Sequence, residues 1–302
     1  MRSLQIFRAT TAAALLISLI SVAGCGSSGG TTGPITPPTL SLRQALNAAL
    51  PATVYLPVEL DTTASILVTL HMNGIKGAGA AFINGTSLVD GGNVWIRTLN
   101  AGAVDSVQLA KTVAGSGTLI IYSTLTGSPP PTVNIAFDGT SYHVFRVSGA
   151  GTIGGFVDSV KSVDDIDVSA PADNATLPRS GGLTVTWSDA GADANVKVAV
   201  KVVAANDSTK QTAATVVPDP DGTAVIPAAQ LNTLPPGGAK LAVSRYRLAY
   251  KTDGGHNTGF ACETITVLNL TLTTPMLPSL TATRARTAET RRASRGIPAT
   301  GN

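Results

Sequence analysis

Thiols are almost missing from this chain: among 302 residues only Cys25 and Cys262 carry one. That excludes a disulfide-stapled scaffold, and no C-x-x-C pair exists to chelate zinc. Histidine is equally sparse, and His71, His143 and His256 are scattered without the H-E-x-x-H spacing of a zinc protease. G-x-S-x-G occurs only as Gly26-Ser27-Ser28-Gly29-Gly30, inside a Gly/Ser tract with no strand-to-helix pattern to make an elbow, and there is no S-x-x-K, so the familiar serine nucleophile signatures gain no support. Aromatics number thirteen, too few for an extended stacking platform. Charged residues make up only 13%, and no apolar run approaches the ~20 residues a membrane-spanning helix needs.

The overall charge of +3 is misleading. Residues 25–279 hold 14 Lys/Arg against 17 Asp/Glu, a net of −3, while residues 280–302 hold five arginines against one glutamate. The body of the chain is thus mildly acidic and offers no basic field to gather nucleic acid.

What is present begins at the N-terminus. Arg2 and Arg8 precede a stretch, residues 12–22, that is apolar except for Ser18 and Ser21, and Ala23 and Gly24 are small. This is the charged, apolar, small layout of a cleaved secretory signal over residues 1–24. The four residues Val22-Ala23-Gly24-Cys25 resemble the lipobox of bacterial lipoproteins. That resemblance implies lipidation at Cys25, which would become the mature N-terminus carrying two or three acyl chains. At about 0.8 kcal/mol per buried methylene, several chains anchor firmly where one does not. Gly26 stands where the family places an aspartate for inner-membrane retention, so the resemblance points to the outer membrane. Residues 25–39, "CGSSGGTTGPITPPT", have nothing to bury and read as a flexible tether.

Beyond the tether, "SLRQALNAAL" (41–50) sets Leu42, Leu46 and Leu50 on one helical face, and Pro51 stops it. Short β-branched runs separated by turn residues follow: 54–60, 66–72, 79–83, 93–99, 106–112, 118–125, 132–137 and 142–147, with "DGTS" as a hairpin turn between the last two. Strands without intervening helices predict a sandwich over residues 40–160. A second block, 161–273, supplies seven more runs, which is immunoglobulin-like arithmetic. Its "LTVTWS", ending near Trp187, resembles the second strand of fibronectin type III or related Ig-like modules, whose tryptophan packs in the core. "LNTLPPGGAKLAV" resembles the approach to the sixth strand, although Lys240-Leu241 stands where the family usually has a tyrosine. The expected fold class is all-β: two β-sandwich domains, the second Ig-like or fibronectin III-like, with a short leading helix and a disordered basic tail over 274–302.

Remaining motifs have plainer readings. "GAGTIG" (149–154) fits G-x-G-x-x-G, but no βαβ unit surrounds it, so it reads as a glycine-rich turn or interdomain hinge and no cofactor is expected. "DPDG" (219–222) offers Asp219 and Asp221 as weak calcium candidates, to be completed by Asp164, Asp165 or Asp167; an EF-hand would need an acid at the twelfth position, which is lacking. Trp95, Tyr142 and Phe145 lie at spacings that favour core packing, and Cys262, in "GFACETITVL", reads as a buried small hydrophobe.

These observations lead to a lipid-anchored envelope protein with a non-catalytic structural or binding role, its loops meeting a protein or glycan partner. Two alternatives stay open. A glycan-binding accessory module would expose aromatics on one sheet face, and an envelope hydrolase would cluster two histidines with acids in a cleft between the domains.

Overall fold

The computed structural model describes residues 65–274, apart from short breaks at 73, 85–86, 100–105, 115–118, 125–133, 189–190 and 254–255. The expected signal, tether, Cys25, helix 41–50, strand 54–60 and basic tail lie outside the described residues. What is described is mostly strand, with one short helix at Ala228–Leu231 and two single 3-10 turns, and forms two compact units. The fold is all-β, as the alternating runs require.

The first unit contains β1 (Ser65–Met72), β2 (Ile75–Asn84), β3 (Ser87–Val89), β4 (Val94–Leu99), β5 (Val107–Gln108), β6 (Ala110–Ala114), β7 (Leu119–Ser123), β8 (Tyr142–Val147) and β9 (Phe156–Lys161). One of its sheets runs β1-β2-β7-β6, with β3 on the side of β2; the other runs β5-β4-β8-β9. All pairings resolved here are antiparallel. β1 is buried on both faces, which explains why its sequence is a nearly unbroken apolar run. Ile66 and Val68 pack with Ala81, Leu88 and Ala261, while Thr69 turns the other way, toward His143 of the second sheet.

The second unit contains β10 (Asp167–Ala170), β11 (Ala175–Pro178), β12 (Leu183–Ser188), β13 (Val196–Ala204), β14 (Asp207–Gln211), β15 (Thr215–Pro218), β16 (Thr223–Ile226), β17 (Gly237–Asp253) and β18 (His256–Thr273). A three-stranded sheet, β10-β12-β16, faces β14-β13-β17-β18, with β11 parallel to the end of β18. With β11 set aside and β14 and β15 counted as one segment, the first, second and fifth strands face the third, sixth and seventh, which is the Ig-like sandwich order. Trp187 is 5% exposed and packs with Val185, Val198, Leu241 and Val243, so the tryptophan of "LTVTWS" is a core residue as expected. Leu231 and Leu234, in the approach to β17, are also buried in this core.

Four particulars differ from the sequence expectation. The second block is not contiguous: residues 247–263 belong to the first unit, because β17 and β18 are long enough to contribute to both. Residues 134–137 form no strand. Ile135 and Phe137 are buried, but the His143 ring binds the Ala136 carbonyl, and Asp138 captures the next amides. Residues 156–161, absent from the β-branched runs above, form β9. Of its two readings "GAGTIG" is the glycine-rich turn and not the interdomain hinge: it joins β8 to β9 in a hairpin closed by an Ala150–Ile153 bridge. Gly149 sits at φ +81°, and a Cβ there would meet the Gly155 nitrogen at 2.5 Å, so only glycine fits.

Candidate functional site

The four-stranded sheet of the first unit presents a polar-aromatic outer face. In β4, Val94, Ile96 and Thr98 are buried, so strand alternation turns Trp95, Arg97 and Leu99 outward. In β8, His143 and Phe145 point inward, and Tyr142, Val144 and Arg146 share the outer side. Register then fixes the neighbours. Trp95 stands opposite Arg146, Arg97 opposite Val144, and Leu99 opposite Tyr142. From β9, Val157 stands beside Arg146 and Lys161 beside Tyr142. Tyr142 is 41% exposed and Val157 63%. The core-packing expectation holds for Phe145, at 0% exposure, but not for Trp95 or Tyr142, which their partners in alternation push outward.

The Arg146 guanidinium lies 5.2 Å from the centroid of the Trp95 ring. Such stacking holds a flat cation in place while its N–H donors stay available. No carboxylate stands on the strand positions of this face. Among the described residues, Arg97, Arg146 and Lys161 have no ion-pair partner, whereas Lys111 pairs with Asp90, Lys251 with Asp158 and Arg245 with Asp219. An acid-free strip in a mildly acidic chain is a local positive field.

The other sequence candidates are placed differently. The Asp219 carboxylate is 2% exposed and already full: Trp187 Nε1 donates at 3.1 Å, Arg245 Nε at 3.1 Å and the Gly191 amide at 2.8 Å. Asp219 is a core acceptor with no lone pair aimed at solvent, and among the described residues no group of three or more His, Cys, Asp or Glu gathers around it or elsewhere. Asp221 is exposed at the adjoining turn.

His71 and His143 do approach each other through Phe137, with ring centroids 5.4 and 5.1 Å from that ring. His143 is wholly buried, however. Its Nε2–H donates to the Ala136 carbonyl at 2.7 Å, so Nδ1 is bare and accepts the Thr69 hydroxyl, also at 2.7 Å. Burial pushes this imidazole down to about 4, although the Ala136 contact opposes it. A neutral ring with both nitrogens engaged is a core fixture rather than a base facing substrate. His256 begins β18, and its side chain lies outside the described residues. Cys262 is buried and free, and burial pushes its thiol up to about 12.

Two polar clusters appeared only in the structure. Lys111 and Tyr122 hydrogen-bond Asp90 and pull its carboxyl down to about 2. Burial would raise the Asp138 carboxyl, but hydrogen bonds from Ser141, Thr140 and Ser162 hold it well below the usual range. Both serve turns: Asp90 binds the Gly92 amide, and Asp138 those of Thr140 and Ser141.

No family model matches the chain, and no curated protein is similar enough to match. Among solved structures it is similar to the FN1-FN3 domains of chicken CNTN1, at 10% identity and a TM-score of 0.26, over 66% of this chain and 65% of that one. No helix among the described residues is long and apolar enough to cross a membrane.

Proposed function

We propose that this chain is a lipid-anchored, non-catalytic binding protein of the bacterial cell envelope, tethered at Cys25 and meeting its partner through the outer face of β4 and β8. One observation carries the binding half: Arg97, Arg146 and Lys161 share a sheet face with Trp95 and Tyr142, with no acid among them. The lipobox-like Val22-Ala23-Gly24-Cys25 supports the anchoring half. The contact surface is thus a sheet face of the first unit, rather than the loops of the Ig-like unit.

Co-sedimentation of the detergent-purified full chain, kept in detergent, with envelope fragments stripped of their lipid tests the reading, because the acyl anchor then cannot itself carry the chain down. The wild-type chain should pellet, and Arg97→Glu with Arg146→Glu should leave it in the supernatant. Equal pelleting of both proteins would place the contact elsewhere and defeat the reading of this face.

A further inference from the structure

We infer that the ligand of this face is a polysaccharide whose sugars carry carboxylates; this deepens the binding reading above and rests on it. The argument begins with charge. Three cations on adjacent strands lack carboxylate partners among the described residues, and a partner that supplies regularly spaced anions completes them. Arg97 and Arg146 occupy diagonal positions across the β4–β8 pair, roughly 7–8 Å apart at the backbone. Each planar guanidinium can take a carboxylate through two parallel N–H donors.

Charge alone would suit any polyanion. The aromatics narrow the choice. Trp95 and Tyr142 lie at opposite ends of the strip, separated by four residues along the strands and by one strand, about 14 Å. Arg97 lies between them. Each ring combines an apolar body with a polar edge, the indole N–H or the phenol hydroxyl. A pyranose ring has the matching character: an apolar C–H face bordered by hydroxyls. Along the strip Trp95 stands beside Arg146, Arg97 follows, and Tyr142 stands beside Lys161, so a ring and a cation are paired at each end over a length that takes several sugar units. A run of purely acidic residues would use the cations but has no ring to lay on Trp95 or Tyr142.

Affinity electrophoresis of the detergent-solubilised full chain in native gels tests this, with polygalacturonate, dextran or polyglutamate cast in the gel. Polygalacturonate should retard the wild-type chain, and dextran should not. Arg97→Gln with Arg146→Gln should weaken that retardation at least tenfold. Trp95→Ala should weaken it against polygalacturonate, with melting curves confirming that each variant is folded. Lys210→Gln, which removes an exposed cation of β14, should change nothing.

No retardation by polygalacturonate overturns the inference. So does equal retardation by polyglutamate that Trp95→Ala leaves untouched, since a bare polyanion would then suffice. If the chain pellets with envelopes through Arg97 and Arg146 yet ignores polygalacturonate, the binding reading stands and the sugar-acid inference falls. If neither occurs, both fall.

Discussion

Arg245 and Asp219 form a buried ion pair in the Ig-like unit: Nε lies 3.1 Å from Oδ1, and each side chain is 2% exposed. The guanidinium also reaches the backbone carbonyls of Asp165 at 2.8 Å and Ser188 at 3.4 Å, so a single cation ties together segments that are distant in sequence. Trp187 donates to the same carboxylate oxygen, which makes Asp219 the hub of the cluster.

Removing that hub strips a desolvated cation of its Asp219 carboxylate. Asp219→Ala should destabilise the unit by about 3–5 kcal/mol, read by chemical denaturation. Adding millimolar calcium to the wild-type chain should leave its melting temperature where it was, because the carboxylate is already committed. A calcium-dependent rise in melting temperature would revive the ligand role.

His143 makes stability depend on acidity. The imidazole is held near 4 in the fold against an ordinary 6.5, so between those values the unfolded chain takes a proton that the folded one refuses. Stability is therefore intact above pH 6.5 and falls as the pH drops toward 4, by about 3 kcal/mol over the window. In His143→Gln this loss between pH 6.5 and 4 should vanish, although the variant starts less stable for want of its full set of hydrogen bonds. An unchanged slope would show that another group carries it.

The β8–β9 hairpin gives a backbone test. Gly149→Ala has to place a Cβ against the Gly155 amide at φ +81°, which should cost about 1–3 kcal/mol or more. Gly151 has φ +57° but open space around it, so Gly151→Ala should cost only the left-handed penalty, about 1 kcal/mol. Equal effects would contradict the close approach.

Cys262 is buried, with its thiol pushed far toward the protonated form. Iodoacetamide should label it only as the protein unfolds, with a denaturant dependence that follows the unfolding curve. Rapid labelling under native conditions would contradict its placement.

Strand identity was the most legible feature of the sequence. The alternation in "VWIRTL" and "YHVFRV" gives β4 and β8, and "LTVTWS" gives β12 together with its buried tryptophan. The side on which Trp95 and Tyr142 lie was also written there. Reading each aromatic against its immediate apolar neighbours, instead of as generic core stock, would have turned both outward. Arg245 had a similar signal: it continues the inward register of Ala239, Leu241 and Val243, and a cation in that register requires a buried acceptor. Which acid answers it was not legible, because Asp219 lies on a separate turn and meets it only through sheet packing. The division of β17 and β18 between two units was hidden for a related reason. A long strand looks the same in sequence whichever neighbours it finds along its length.

Acyl labelling tests most directly the claim that this protein works tethered to a membrane. Bacteria producing the wild-type or the Cys25→Ala chain would be fed labelled palmitate, and each protein recovered from fractionated membranes. The account predicts label on the wild-type chain, which stays with the membrane, and none on Cys25→Ala. Label on both chains, or on neither with the protein recovered in the soluble fraction, would contradict it.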